Sequence, residues 1–192
     1  MTKKFELVAE LTKEFFGRKL FRIRAVVSFG DVSEGDLGGW VETESNLDQS
    51  GNAWVYGDAQ VYGNAWVYGD AQVYGNAWVY GDARVSGNAQ VYGNAWVYGD
   101  ARVSGNAWVY GDARVSGNAH WITIGPIGSE NGFLTAFRQK DNSIVVSRGC
   151  FSGTIDEFES AVKERHGDSE NAQIYLALIP VIKLRLDEVN DE

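Results

Sequence analysis

The sequence predicts a mainly β protein whose central part is a short β-solenoid. Residues 51–122 consist of twelve consecutive six-residue units, which read GNAWVY, GDAQVY or a close variant. A unit of this size cannot bury an apolar face alone, so such repeats must stack on one another. The period fits neither the α-helical turn of about 3.6 residues nor a heptad, and Gly recurs too often for a helix. These observations predict a rod of stacked short strands.

The interior of the rod follows from the alternation of side chains along a strand. The Ala and Val of each unit lie two residues apart and therefore point to the same side. Twelve Ala residues (Ala53 to Ala119) and eleven Val residues (Val55 to Val115) are expected to fill a narrow interior. The Trp, Gln or Arg between them and the Tyr or Ser after them are expected to point outward. Gly followed by Asn or Asp supplies each corner, because these residues tolerate positive φ best.

The units, written as Val-x-Gly-x-Ala-x, resemble the hexapeptide repeat of left-handed parallel β-helices. The resemblance implies three units per coil and about four coils, so residues 18 positions apart lie in columns. Two faces of the rod are then aromatic, and the third is more polar and basic. The columns are, on the first face, Tyr56, Tyr74, Tyr92 and Tyr110; on the second face, Tyr80 and Tyr98 beside Trp78, Trp96 and Arg114; and on the third face, Arg84, Arg102 and His120.

Residues 1–50 are expected to form an N-terminal β cap. Strands are predicted at 5–11 and 20–27, divided by Gly17. Large side chains in the segment that follows are interpreted as a degenerate first coil that plugs the open end of the rod. Such a plug protects a solenoid from end-to-end aggregation. The residues concerned are Leu37, Trp40, Val41 and Leu47.

Residues 123–192 are expected to form a small α+β module. A hairpin is predicted from strands at 133–138 and 143–147, with its turn at 140–142. Thr154 with Glu157 is a capping-box signature that opens a helix, and Gly167 is expected to end that helix. A second helical segment follows. Pro180 should kink or end it, which leaves residues 181–186 open between helix and strand.

Two flanking segments carry a second resemblance. Residues 36–41 (DLGGWV) and 149–154 (GCFSGT) are similar to segments of uncharacterised phage and prophage proteins with GNAxVYGDAxV repeats. The resemblance covers nearly the whole chain and implies a virus or an integrated element as the source. It brings no established activity with it.

Composition limits the function classes. The formal net charge is −9, and residues 123–192 contribute −5 of it, with seven Lys or Arg against twelve Asp or Glu. Direct nucleic-acid binding is not expected from such an acidic chain without a basic patch. The single cysteine, Cys150, allows no internal disulfide and favours a reducing compartment. The longest uncharged apolar stretch, 174–182, is too short to cross a bilayer. These features predict a soluble cytoplasmic protein without membrane association.

Catalytic chemistry is weakly represented in the sequence. Hexapeptide-repeat β-helices include acyltransferases that use a general-base His and coenzyme A. Those enzymes usually carry the active site on loops that interrupt the β-helix, whereas the twelve units of this chain contain no insertion. His120 is expected to be an exterior residue at the rod end, and His166 to lie at a helix C-terminus. Cys150 is expected to be a packed small hydrophobe. No His, Cys or acidic residues have metal-ligand spacing. The sequence therefore predicts a protein that is not an enzyme and that needs no cofactor or metal.

The aromatic columns are the candidate binding surface. An exposed aromatic surface of this size is larger than a soluble monomer usually tolerates, which indicates a partner or self-association into a dimer or larger. The expected partner is a host protein, bound by a rigid scaffold of phage origin, with counter-defence inhibition as one use. The alternatives are a coenzyme A-dependent acyltransferase and a glycan- or nucleotide-binding module. The candidate residues are Tyr56, Tyr74, Tyr92, Tyr110, Trp78, Trp96, Tyr80 and Tyr98, with Arg84, Arg102 and Arg114 as ionic contacts.

Overall fold

The computed structural model describes residues 3–117, 120–139 and 141–186. Its central part is the predicted β-solenoid, a rod of about four turns between an N-terminal hairpin and a C-terminal module with two helices. Ala119 and Lys140, which the sequence analysis places in the rod interior and the hairpin turn, lie outside the described residues, as do 1–2 and 187–192. None of the helices in the described ranges has the length and apolar character needed to span a membrane.

Three strands precede the rod: β1 (Phe5–Phe15), β2 (Arg18–Ala25) and β3 (Leu37–Val41). A single turn of 3₁₀ helix (Glu44–Asn46) follows β3. The strands β1 and β2 form an antiparallel hairpin that closes where Phe15 pairs with Arg18. Its two-residue turn consists of Phe16 and Gly17, with φ of 45° and 73°. The two predicted strands are present, but β1 continues beyond its predicted end at residue 11.

The rod is built from one two-residue strand per repeat unit. In its described part these strands are β4 (Trp54–Val55), β5 (Gln60–Val61), β6 (Trp66–Val67), β7 (Gln72–Val73), β8 (Trp78–Val79), β9 (Arg84–Val85), β10 (Gln90–Val91), β11 (Trp96–Val97), β12 (Arg102–Val103), β13 (Trp108–Val109) and β14 (Arg114–Val115).

Each of the strands β4 to β11 pairs in parallel with the strand 18 residues further along the chain, as Trp78 of β8 does with Trp96 of β11. The pairs form three faces: β4, β7, β10 and β13 on the first, β5, β8, β11 and β14 on the second, and β6, β9 and β12 on the third. The predicted coil of three units and the predicted columns are therefore confirmed for the first eleven units, but not for the twelfth unit, which contains His120. The handedness of the coil stays a prediction.

The rod interior contains the residues that the alternation predicts. Every repeat Ala from Ala53 to Ala113 and every repeat Val from Val55 to Val115 is at most 1% exposed. Burial of each Val side chain stabilises the fold by about 1.5–3 kcal/mol. The backbone groups between coils are paired, as where Trp78 N donates to the Ala95 carbonyl at 2.9 Å. Small side chains in close-packed coils are therefore the main source of stability.

The corners depend on Gly for two reasons. From Gly51 to Gly111 each corner Gly has φ between 58° and 72°, whereas the Asn or Asp that follows does not have positive φ. A Cβ added at Gly93 would also lie 3.0 Å from the backbone nitrogen of Gly111. The Asn and Asp residues instead link neighbouring coils, as where Asn64 Nδ2 donates to Asp82 Oδ1 at 2.9 Å. The expectation that they share the positive φ is wrong, because Gly alone supplies it.

The predicted incomplete first coil is present. Strand β3 pairs in parallel with β5, and Leu47 forms a parallel bridge with Val67. Val41 and Leu47 lie in the core. Leu37, however, is 49% exposed and Trp40 is only half-buried, so the prediction that these two residues plug the rod is wrong.

The N-terminal mouth of the rod is closed by other residues. Phe5 and Trp54 are buried there, with ring centroids 6.2 Å apart. Gly38 and Gly39 allow the chain to pass directly over the rod end, since a Cβ at Gly39 would lie 2.6 Å from Val55 Cγ1. The hairpin supplies the plug because β1 carries Phe5 across the open end, a contact between distant parts of the chain.

Four antiparallel strands follow the rod: β15 (Trp121–Ile127), β16 (Gly132–Arg138), β17 (Ile144–Arg148) and β18 (Phe151–Thr154). The strands β16 and β17 are the predicted hairpin. Trp121, which the repeat pattern assigns to the twelfth unit, pairs with Phe137 of β16, so the parallel strands of the rod end at β14. Phe137 and Val145 pack into the rod core, whereas Leu134 and Val146 pack with the helices. The sheet thus closes the C-terminal end of the rod.

Two helices cover the far side of this sheet: α1 (Ile155–His166) and α2 (Glu170–Arg185). The predicted capping box is confirmed, because Glu157 N donates to Thr154 Oγ1 at 3.3 Å and Thr154 N donates to Glu157 Oε2 at 2.7 Å. Helix α2 runs through Pro180, so the strand alternative for 181–186 is wrong. Pro180 lies on the exposed side, and the buried Ile179 and Ile182 keep the helix packed on both sides of it.

Candidate functional site: aromatic ladders on the rod

Trp78 and Trp96 stack on the second face of the rod. They occupy equivalent places in β8 and β11, where alternation turns them away from the buried Val79 and Val97. Their ring centroids are 4.6 Å apart and their planes differ by 9°. Coils in a parallel sheet lie about 4.8 Å apart, which is also a good stacking distance for aromatic rings. The repeat therefore imposes the stack.

Tyrosines form further ladders on the same principle. On the second face, Tyr80 stacks with Tyr98 at 5.2 Å between centroids. On the first face, Tyr92 stacks with Tyr74 at 4.8 Å and with Tyr110 at 5.0 Å. Tyr56, at the start of that column, meets Tyr74 edge-on at 6.5 Å instead. All eight predicted aromatic residues thus lie in ladders, on two faces.

The ladders are less exposed than the sequence suggests. All eight predicted aromatic residues are half-buried, since each ring covers the next. Trp66 and Trp108, which the prediction omits, are the more exposed tryptophans, at 37% and 41%. The ladders therefore present ring edges and hydroxyl groups at the surface.

Burial also raises the pKa of tyrosines in the ladders, which include Tyr62 stacked on Tyr80. Burial raises the pKa of Tyr62 to about 12, and the neighbouring Tyr80 adds to the effect. Burial likewise raises the pKa of Tyr92 to about 12, with contributions from Tyr74 and Tyr110. The tyrosine hydroxyls of the ladders are thus harder to ionise than those of exposed tyrosines.

The N-terminal hairpin reaches the start of the tryptophan stack. The Phe15 ring meets Trp78 edge-on, with centroids 4.8 Å apart. Phe16, at the tip of the hairpin, is 80% exposed and lies 6.2 Å from the Trp78 ring. Its φ of 45° is in the left-handed region, which a Phe seldom adopts. The repeat pattern does not reveal this position, although two Phe residues before Gly17 are unusual where a turn would normally be polar.

Arg114 closes the other end of the stack. Its guanidinium lies 4.0 Å from the centroid of the Trp96 ring, a cation–π contact. It also donates to the carbonyls of Asn94 at 3.0 Å and Ala113 at 2.8 Å. Within the described residues Arg114 forms no ion pair. Phe15, Phe16, Trp78, Trp96 and Arg114 thus form one continuous surface, which we call the tryptophan face.

The other predicted groups lie elsewhere. Arg84 and Arg102 are exposed on the third face, so the three predicted arginines do not form one cluster. The tyrosine ladder of the first face ends against the C-terminal module, where Tyr110 meets Phe137 at 5.2 Å and its hydroxyl is hydrogen-bonded to Ser152. On the tryptophan face, by contrast, the N-terminal hairpin, which is not part of the repeat, adds the exposed Phe16 ring to the ladder.

His120 and Cys150 do not lie where the sequence predicts, whereas His166 lies at the C-terminus of α1 as predicted. His120 is only 9% exposed, and its Nδ1 is 2.9 Å from Ser116 Oγ, so it is not an exterior residue. Cys150 is exposed rather than packed. Cys150 and His166 both line a cavity in the C-terminal module, where the sequence showed no pocket. Across the part of the chain that the structure describes, no group of three or more His, Cys, Asp or Glu side chains is placed to hold a metal.

Comparison with known proteins supports the architecture. Five overlapping stretches of the chain match the family described as the YdcK beta solenoid repeat, at residues 59–75, 71–87, 77–93, 89–105 and 96–111. All five lie within the rod. No curated protein matches the chain. Together with the parallel ladders, the match shows a repeat β-solenoid protein.

Proposed function

We propose that the protein is a non-enzymatic binding scaffold whose tryptophan face holds a partner protein. The observation that carries the proposal is Phe16. An exposed Phe in a left-handed turn is unfavourable in both solvation and backbone conformation, and residues held in this way are enriched at binding sites. The hairpin places this ring beside the tryptophan stack, where it extends an aromatic surface.

The tryptophan face also indicates the chemistry of the partner. Trp and Arg are the residues most enriched among those that dominate binding energy at protein interfaces. Arg114 is oriented by backbone carbonyls, while its charge is not matched by a carboxylate among the described residues. The surface therefore suits a protein segment that presents an apolar side chain next to a carboxylate.

The source resemblance supports a host protein as the partner. A phage or prophage protein with a rigid rod and no recognised catalytic group suits binding and inhibition of a host factor, with counter-defence as one use. The ladders are also suited to self-association, and the two kinds of partner give different products in a crosslinking experiment.

Affinity capture with matched variants tests the proposal. Wild type, Phe16→Ser and Trp96→Gln are immobilised, exposed to host-cell lysate and compared by quantitative mass spectrometry. Trp66→Gln is the control, because it makes the same change at an exposed Trp on the third face. We expect one protein whose capture is lost in the first two variants and retained in the control. Equal capture by all four proteins would refute the proposal.

The proposal that the protein is not an enzyme is tested separately. Acetyl-coenzyme A should not raise the melting temperature of the protein. A clear rise would instead favour the acyltransferase alternative.

A groove between the rod and the C-terminal module favours a second candidate function, saccharide binding. Its volume is about 370 Å³, and its walls include Trp108 and Phe133, which are 41% and 38% exposed. The side-chain amides of Asn88, Gln90 and Asn106 line the same groove. Aromatic platforms beside amides suit neutral sugars. A glycan array on which binding is lost with Trp108→Gln would support this function, and an array without binding would exclude it.

A further inference from the structure

A cavity in the C-terminal module has the size and lining of a site for one aromatic ring. Its volume is about 160 Å³, and its walls include Phe151, Phe158 and Tyr175. Phe158 and Tyr175 are 3% and 5% exposed, so these walls belong to the core. An apolar cavity of about 150 Å³ holds benzene. A ligand with one such ring therefore fits the space.

The mouth of this cavity is rich in positive charge. Arg148 and Arg165 line it, next to the His166 ring, against one carboxylate, that of Glu130. Glu130 has a side chain that is 79% exposed, and its Oε2 lies 3.9 Å from Arg148 Nη1, so the pair is a weak surface contact. Arg165 forms no ion pair within the described residues. In a chain of net charge −9, this concentration of cations favours an anionic ligand.

Arg148 is held in place before any ligand arrives. Its side chain is 11% exposed, and Nη2 donates to the Ile127 carbonyl at 2.9 Å. Its Nε is buried without a hydrogen-bond partner. Two glycines make room for the site, since a Cβ at Gly132 would lie 2.7 Å from Arg148 Nη1 and one at Gly128 would lie 2.0 Å from the Tyr175 hydroxyl. A fixed guanidinium loses little entropy on binding, which favours affinity.

We propose that this cavity binds a small aromatic monocarboxylate of about the size of benzoate. The ring would lie among Phe151, Phe158 and Tyr175, and the carboxylate would face Arg148 and Arg165. A planar guanidinium matches the two oxygens of a carboxylate. The site is separate from the tryptophan face and does not depend on the proposed protein partner.

The chain carries its own reporter for this site. Cys150 is the single cysteine of the protein, is exposed, and lines the cavity. A bound ligand should therefore slow its alkylation by the neutral reagent iodoacetamide. The rate is measured with benzoate, with benzyl alcohol as a neutral compound of similar shape, and with acetate as an anion without a ring. We expect benzoate to slow the reaction in a saturable way, and the other two to have little effect at the same concentration.

Two variants separate the charge contribution from general effects. Arg165→Gln should weaken the apparent benzoate affinity roughly tenfold, in line with the loss of a hydrogen bond to a charged group. Arg165 is exposed on α1, so this variant should keep the helical circular dichroism of wild type. Arg84→Gln, at an exposed Arg on the third face of the rod, should bind benzoate as wild type does.

Four results would overturn the proposal. Benzoate without effect on the alkylation rate would show that the cavity does not hold it. Equal protection by acetate would show a nonspecific anion effect. Equal protection by benzyl alcohol would show that the arginines contribute nothing. The same benzoate affinity in Arg165→Gln and Arg84→Gln would show that Arg165 does not bind the carboxylate.

Discussion

Replacing Val97 with Asp would place a carboxylate in the middle of the rod. Val97 is fully buried and pairs with Val79 on one side and Val115 on the other. These neighbours offer no side-chain hydrogen-bond donor to an Asp side chain at this position. Trp96, the adjacent residue, points outward, so the two positions compare the inside and the outside of one strand.

The substitutions Val97→Asp and Trp96→Gln should differ clearly in how much they lower the free energy of unfolding. An unpaired buried carboxylate costs several kcal/mol, so Val97→Asp should destabilise the fold by about 4 kcal/mol or more. Trp96→Gln removes a stack with Trp78 at 4.6 Å and a cation–π contact with Arg114 at 4.0 Å. These are worth about 0.5–1.5 and about 0.5–1 kcal/mol, so the expected loss of stability is about 1–2.5 kcal/mol. Gln already occupies this position in other units, which makes it a compatible replacement.

Urea unfolding followed by circular dichroism measures both changes, with Val97→Thr as an uncharged control of similar shape. The penalty of Val97→Asp should shrink at low pH, because burial raises the pKa of the introduced carboxyl group and its neutral form costs less. The stability of that variant is therefore lost as pH rises through the folded-state pKa. If Trp96→Gln unfolds the protein while Val97→Asp is tolerated, the assignment of inside and outside is reversed.

Three further predictions concern the ladders, the corners and assembly. Because burial raises the pKa of Tyr62 and Tyr92 to about 12, their contribution to stability is complete below pH 10 and is lost as pH rises through 12. Absorbance at 295 nm should therefore show tyrosines that ionise well above pH 10. Titration of every tyrosine near pH 10 would contradict the burial of the ladder tyrosines. In thermal unfolding, Gly93→Ala should destabilise the rod by about 2 kcal/mol more than Gly17→Ala does. Both glycines have positive φ, but of the two only Gly93 has backbone atoms close to an added Cβ, at 3.0 Å. Equal losses of stability in the two variants would argue against the close contact between coils. If the ladders mediate self-association, light scattering should give at least twice the chain mass of 21.2 kDa, and the chain mass itself across the micromolar range would count against it.

The rod could be predicted from the sequence because its structure is local and repeated. Each Ala and Val is placed by alternation within its own unit, and each column follows from a fixed spacing. The capping box at Thr154 is equally local, since both partners lie within one turn of helix. Such features need no knowledge of distant parts of the chain.

Contacts between distant segments of the chain could not be predicted from the sequence. The sequence does not show that the hairpin lays Phe15 on Trp78, because 63 positions separate them and no period relates them. His120 follows the repeat pattern but is buried where the chain leaves the rod. Pro180 was expected to disturb α2, and its exposed position is set by packing against the module. The cavity beside Cys150 likewise forms only when the sheet and both helices are assembled.

Photo-crosslinking at the tip of the hairpin tests most directly whether the tryptophan face binds a protein. Phe16 and Leu184 are replaced, one at a time, with p-benzoylphenylalanine; they are 80% and 78% exposed, and Leu184 lies on α2. After irradiation in host-cell lysate, the proposed function predicts one dominant adduct with another protein from position 16. That adduct should be absent from position 184 and lost when Trp96→Gln is added. An adduct of equal yield from both positions, or one from position 16 that persists with Trp96→Gln, would contradict it.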